Sequence, residues 1–411
     1  MFKYFALISF LTISLNSIGR TIVVAPGKSS VLKNTILQAA DGDTLLVQKG
    51  IYKEQDILVA KKLVIIGQGF PTIDGDHKGQ LIVVTRDSVT ISGLQLQNTG
   101  RSSMTDMAAI RLQNVQFARV VNNRLVNNTY GVYLQNSHYC LVYNNTISAD
   151  AKDELNSGNG IHAWKSTHLL IQSNKIKGHR DGIYFEFVTD SRILYNTSDK
   201  NIRYGLHFMF SHQDVYTHNT FADNGSGVAV MYSKKVEMYN NTFRHNWGDA
   251  SYAILLKEIT DSKIEHNLFA KNTVGIYMEG TSRIDVRHNE FVENGWAMRV
   301  QASCDNNTFE KNNFLSNSFD VATNGTMMLN IFNNNYWDKY DGYDLDKNKI
   351  GDVPYYPVSM YSVVTERIPG AMILYRSFLT DVMDQVEKLM PSVVPDQLKD
   401  NNPMMKSWKL R

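Results

Sequence analysis

The 411 residues carry 42 basic and 40 acidic side chains, a formal net charge of +2, and 43% of them are hydrophobic. That balance supplies enough apolar surface for a large core and gives no electrostatic case for binding nucleic acid or another acidic polymer.

Lys3 and an apolar run from Tyr4 to Leu15 open the chain, and the small residues Ser17 and Gly19 precede Arg20. The run is shorter than the roughly 20 residues of a membrane-spanning helix and suits the core of a secretory signal. Residues 1–19 are therefore expected to be a signal peptide. No later stretch stays apolar for the ~18 residues a span would need, so the mature chain is expected to be exported and not integral.

Val31 to Ala40 reads as a short amphipathic helix that plugs the open end of a repeat region. Strands come next, at Thr44–Val47, Leu63–Gly67, Leu81–Val84 and Val89–Ile91. From about residue 100 two series run in step. One is a small residue that opens an apolar strand: Ala109, Gly131, Gly160, Gly182, Gly205, Gly227, Ala253, Gly275 and Ala297. The other is an asparagine with, in most repeats, an apolar residue two places on: Asn123, Asn145, Asn174, Asn196, Asn219, Asn241, Asn267, Asn289, Asn312 and Asn335. Most steps are 22 or 23 residues, and both series carry the same longer steps of 29 and 26. A fixed period of this size, with period-two alternation of β-branched and aromatic residues inside it, predicts a right-handed parallel β-helix over residues 20–337. The asparagines are expected to stack at an interior corner, each amide bonding its counterparts one coil above and below, and to take the left-handed backbone of the turn. The two insertions, near residues 149–159 and 247–252, are expected to bulge from one edge. Cys140 and Cys304 lie about seven coils apart, roughly 34 Å at the spacing of neighbouring strands, so both are expected to be free thiols.

After each small residue, the first and third positions are apolar and the second and fourth face outward. The second-position column reads Tyr133, His162, Tyr184, His207, Ala229, Leu255, Tyr277, Arg299; the fourth reads Gln135, Trp164, Glu186, Met209, Met231, Lys257, Glu279, Gln301. His162, Trp164, Tyr184, Glu186, His207, Met209 and Met231 thus share four adjacent coils. Three readings stay open for this patch. Aromatic rings with a carboxylate and imidazoles suit a sugar chain, with Glu186 or a histidine as acid or base. Imidazole with thioether suits a soft metal such as Cu(I), which makes His162, Glu186, His207, Met209 and Met231 candidate ligands. The third is a solvated face that docks a protein, with Trp164 and Tyr184 as contacts. Paired carboxylates for glycoside chemistry are missing from the columns, since Glu186 and Glu279 are four coils and roughly 19 Å apart. Corner residues such as Asp181 are the only reserve, and no catalytic residue is assigned.

Residues 338–411 form a separate C-terminal part. Asp344 to Asn348 spaces oxygen ligands like a calcium loop, but Lys349 stands where glycine is needed and Tyr355 where glutamate is, so a structural turn is expected. Leu374, Phe378, Leu379, Val382, Val386 and Leu389 recur at helical steps up to Pro391 and predict a 20-residue amphipathic helix, a lid on the last coil or a dock for a membrane partner. Met404 and Met405 in the extended tail are candidate partner contacts.

The run Asn333-Asn334-Asn335-Tyr336-Trp337-Asp338-Lys339-Tyr340-Asp341-Gly342-Tyr343-Asp344-Leu345-Asp346, followed by Ile350-Gly351-Asp352-Val353-Pro354-Tyr355, resembles the NosD family. Thr21 to Gly27 and Asp400 to Met405 extend the likeness over the whole mature chain. The resemblance implies a periplasmic, non-enzymatic β-helix protein. It implies association with a membrane permease and a cytoplasmic ATPase in an ABC-type complex, receipt of copper from a lipoprotein chaperone, and help in delivering it to apo nitrous oxide reductase. On this reading Cu(I) is bound transiently, if it touches this chain at all. The competing expectation is an exported polysaccharide lyase or epimerase acting in the β-helix groove.

Overall fold

The computed structural model describes residues 19–27, 30–102, 104–325, 329–374, 377–389 and 398–409. The expected signal peptide, apart from Gly19, lies outside the described residues. Helix α1 (Val31–Gln38) follows the first strand; α2 (Met360–Arg367) and α3 (Phe378–Leu389) follow the last. Between them the chain winds through three parallel sheets of 14, 13 and 12 strands, one short strand per sheet in each coil. The first sheet runs from Thr21–Val24 to Ile331–Asn333, the second from Ile51–Lys53 to Tyr336–Trp337, and the third from Ile57–Val59 to Phe319–Ala322. This is the expected right-handed parallel β-helix, with coils of about 23 residues.

Buried amides hold the coils in register. Asn219 shows the pattern: its backbone N–H and its Nδ2 both donate to Asn241 Oδ1 at 3.0 Å, and Nδ2 also donates to the Ile193 carbonyl at 2.9 Å. The same bonds link successive asparagines from Asn123 to Asn335. In one respect the expectation needs correcting. The ladder asparagine does not take the left-handed turn; the outward residue before it does, with φ of 52–57° at Asn122, Asn144, Ser173, Tyr195 and His218. The side chain that must bond inward and the backbone that must twist are separate requirements, met by adjacent residues. A second ladder, Asn201, Asn224, Asn246, Asn272, Asn294 and Asn317, runs along the corner between the second and third sheets.

Inside, Phe221, Phe243, Phe269, Phe291, Phe314 and Trp337 stack on successive coils, their ring centroids 5.5 to 4.0 Å apart. Each such pair adds about 0.5–1.5 kcal/mol beyond its buried area. The small residues make room for this spine: a Cβ on Gly205 would stand 2.8 Å from both the Gly227 carbonyl and the Phe221 ring. Cys140 and Cys304 are free and buried, as expected. Residues 149–159 and 247–251 both leave the solenoid at the corner between the second and third sheets, as do residues 98–102 and 104–107.

Both ends are closed. Helix α1 buries Leu32 and Ile36 against the first coil, and the carboxylate of buried Glu54 accepts from the Leu32 and Lys33 N–H groups at its start. At the far end the asparagine ladder finishes on the tail. Asp400 Oδ2 accepts from Asn335 N, Asn335 Nδ2 and Trp337 Nε1 at 2.9, 3.0 and 3.1 Å. The single 20-residue helix is a further correction: the chain forms a 3₁₀ helix at Pro369–Leu374 and then α3, which packs on α2. The lid over the last third-sheet strand is α2, where Ser362 Oγ reaches the Val321 carbonyl. The Asp344 segment is a self-bonded turn, with Asp344 accepting from the Asn348 and Lys349 N–H groups.

Asn219→Ala strips an acceptor from two buried donors of Asn196 and is expected to cost about 3 kcal/mol, read as a lower urea midpoint. Lys311→Asn, at an outward left-handed corner residue (φ 56°), is expected to be neutral or to stabilise by a few tenths of a kcal/mol.

Candidate functional site

The outward columns lie on the third sheet, and strand register fixes who neighbours whom. His162 pairs with Tyr184, Tyr184 with His207, and His207 with Ala229; Trp164 pairs with Glu186, Glu186 with Met209, and Met209 with Met231. Neighbouring strands are about 4.8 Å apart and alternate residues along a strand about 6.6 Å apart. His207, Met209 and Met231 therefore occupy three corners of one small cell, whose fourth corner is the methyl group of Ala229.

The histidines are less open than the sequence suggests. His162 is 8% exposed and His207 5%, because tyrosines pack around them. The His162 ring lies 4.5 Å from Tyr133 and 4.8 Å from Tyr184, and His207 lies 4.9 Å from Tyr184 and 4.8 Å from Tyr204, centroid to centroid. With the Tyr184 ring between them, the two imidazoles do not meet. His162 Nδ1 is engaged with Asn159 Nδ2 at 3.1 Å, and burial lowers its pKa to about 4, so it is neutral at pH 7. Both His207 ring nitrogens are buried and have no hydrogen-bond partner. Tyr184 is pushed up to about 12, first by burial and then by Glu186.

Glu186, Met209 and Met231 are half-buried, as is Trp164, over which Lys165 Nζ stands 4.4 Å from the ring. Met404 and Met405 are half-buried in the terminal cap, their N–H groups bonded to the Asn335 and Lys349 carbonyls. That is four coils beyond Met231, so they form no part of this cell.

Sequence reasoning misses two features. Phe187, Phe210 and Tyr232, which directly follow Glu186, Met209 and Met231, stack along the sheet edge with centroids 5.3 and 5.0 Å apart. They are 37–44% exposed and hold left-handed φ of 49–54°, which bulky residues seldom adopt. An aromatic rim thus borders the methionine column. The second is a polar cluster at the corner beneath the 149–159 loop, made by Asn159, Arg180, Asp181 and His207, each with a buried polar atom lacking a partner. The sequence offers Asp181 only as a reserve acid, because burial at a turn leaves no periodic trace. The loop is tied across the coils by Glu154, 3.6 Å from Arg203.

No group of three His, Cys, Asp or Glu side chains among the described residues could hold a metal ion, so an ion on this face would need the thioethers. Soft sulfur with one imidazole fits Cu(I) better than Zn²⁺ or a hard cation. No helix among the described residues is long and apolar enough to cross a membrane.

The sheet holds thioethers, an imidazole and an aromatic rim in fixed register on the outside of a parallel β-solenoid. The chain belongs to the NosD family: the family model described as "Periplasmic copper-binding protein (NosD)" matches residues 15–154 and 147–343. A protein of Pseudomonas aeruginosa named "Probable ABC transporter binding protein NosD" is 27% identical over 81% of this chain and 82% of its own length. One of the same name from Stutzerimonas stutzeri is 25% identical over 81% and 80%. Among solved structures, the catalytic unit of a thermostable GH87 α-1,3-glucanase from Streptomyces thermodiastaticus aligns with a TM-score of 0.60, 14% identity, and 77% and 67% coverage. That likeness is one of fold.

Two buried histidines set an acid limit on stability. His179 stands at the head of the second asparagine ladder, its N–H donating to Asn201 Oδ1, and full burial lowers its pKa to about 4, as for His162. Both stay neutral when folded, whereas the unfolded chain protonates them below pH ~6.5. Their contribution is complete above pH 6.5 and is lost as pH falls toward 4, at about 1.4 kcal/mol per pH unit for each proton. His179→Asn is expected to make urea midpoints between pH 6.5 and 4.5 less steep by one proton.

Proposed function

We propose that this chain is the periplasmic binding component of an ABC-type copper-delivery system and that it holds Cu(I) transiently with His207, Met209 and Met231. The observation that carries the reading is the single cell that brings these three residues together in register, with an imidazole whose nitrogens make no hydrogen bond. Two thioethers and one imidazole offer a three-coordinate soft site that suits a metal in transit. Glu186 borders the cell one strand away, and His162 lies beyond Tyr184, so neither completes it. In this reading a membrane permease and a cytoplasmic ATPase carry the chain, a copper chaperone lipoprotein loads it, and apo nitrous oxide reductase receives the ion. The family description and the names of the two relatives support the transporter and copper parts. Trp164, Tyr184 and the exposed rim of Phe187, Phe210 and Tyr232 are the proposed contacts for donor and acceptor near the cell, and Met404 and Met405 a contact at the terminal cap.

The alternative, a polysaccharide lyase or epimerase, finds less support in the geometry. Glu279 is held by Lys257 at 3.1 Å, four coils from Glu186, and Asp181 is fully buried.

Titration of the purified protein with Cu(I) against a competing chelator tests the site. The His207→Ala/Met209→Ala/Met231→Ala variant is expected to lose at least tenfold in affinity, while His162→Ala changes it less than threefold. Equal binding by wild type and the triple variant would exclude this cell.

A further inference from the structure

The corner cluster gives His207 a neighbour of specific chemistry. Asp181 Oδ2 stands 3.8 Å from His207 Nδ1. Its other oxygen, Oδ1, accepts from the Tyr204 N–H at 3.3 Å. The Asp181 side chain is fully buried, and Arg180 Nε lies 3.6 Å from Oδ2. Neither Oδ2 nor Nδ1 has a hydrogen-bond partner, and at 3.8 Å the two lie about 0.6 Å beyond the ordinary N–H···O range. A buried carboxylate oxygen and a buried ring nitrogen so placed satisfy each other only if Nδ1 carries the proton.

Position along the strands gives that tautomer a direction. Asp181 precedes Gly182 and aligns with Tyr204, on the corner side of His207; Met209 and Met231 lie on the other side. With Nδ1–H turned to the corner, the lone pair is on Nε2, across the ring. Metal-ligating histidines are commonly oriented by a carboxylate on the second nitrogen, which fixes the tautomer and makes the ligating nitrogen a better donor.

We propose that Asp181 is a positioning residue that holds His207 in its Nδ1–H tautomer and leaves Nε2 free for a soft metal ion shared with the methionine column. The metal half of this inference rests on the copper reading above; the tautomer half does not.

Metal-free protein labelled with ring-¹⁵N histidine separates the two. Long-range ¹H–¹⁵N spectra, with His207 assigned by its loss in His207→Gln, are expected to show the Nδ1–H tautomer. Asp181→Asn, which keeps the shape and removes the charge, is expected to shift that signal toward Nε2–H. It is also expected to weaken Cu(I) binding 10- to 100-fold with Met209 and Met231 intact. Should Asp181→Asn fold poorly, the wild-type tautomer still decides. An Nε2–H signal in wild type overturns the proposal, and so does unchanged copper affinity in a folded Asp181→Asn variant. Full affinity in His207→Gln would remove the copper reading from this cell, and the tautomer would then stand or fall on the spectrum alone.

Discussion

Everything in this molecule depends on a buried amide meeting the next one. A β-helix turns its chain inward at every corner, and each turn leaves backbone donors that water cannot reach. An asparagine answers with an oxygen that takes one backbone N–H and the side-chain amide of the preceding ladder residue, and a nitrogen that passes the bond on, so satisfaction at one corner requires the same residue one coil away. The requirement is cooperative, and it accounts for the 22-residue period better than any preference for strands. The hydrophobic spine follows the same register, because rings on equivalent positions of successive coils must lie about one strand spacing apart.

Register inside becomes geometry outside. Once coils cannot slip, a residue's position in its repeat fixes its neighbours on the surface, and a column of methionines or phenylalanines becomes a straight feature. The proposed cell is therefore a by-product of stacking: its side chains come from two successive coils and need no special loop to assemble them. The two insertions of the repeat are placed at one corner, and the 149–159 loop is tied to the coil that carries His207.

The periodic part of the molecule is legible in the chain itself. The small residues, the asparagines and the inward apolar positions repeat, so fold, register and both outward columns follow from the residues alone. What is not legible is what does not repeat. Asparagine tolerates the left-handed turn and so attracts that assignment, yet the turn falls one place earlier, on asparagine, serine, tyrosine, histidine or lysine, where the residue type varies and sequence carries little signal. Alternation alone makes His162 and His207 surface residues. Tyr130, Tyr184 and Tyr204 bury them, and Tyr130 and Tyr204 come from the strand starts rather than from either column. The C-terminal helix reads as one piece because its apolar spacing gives no sign that residues 369–374 form a 3₁₀ turn and not part of α3. Helix α2 leaves no such mark because its sequence has no strong apolar stripe.

The ladder's last acceptor is Asp400, a residue 65 positions beyond the asparagine it serves. A chain synthesised from its N-terminus can lay down each coil on the one before, but it cannot close the final edge until almost all of it has been made. Until then the last strands present open backbone groups and an unsatisfied amide, the surface on which another solenoid could add itself. The tail is thus a completion mark: a chain that stops short of Asp400 leaves the last amide of the ladder without its acceptor.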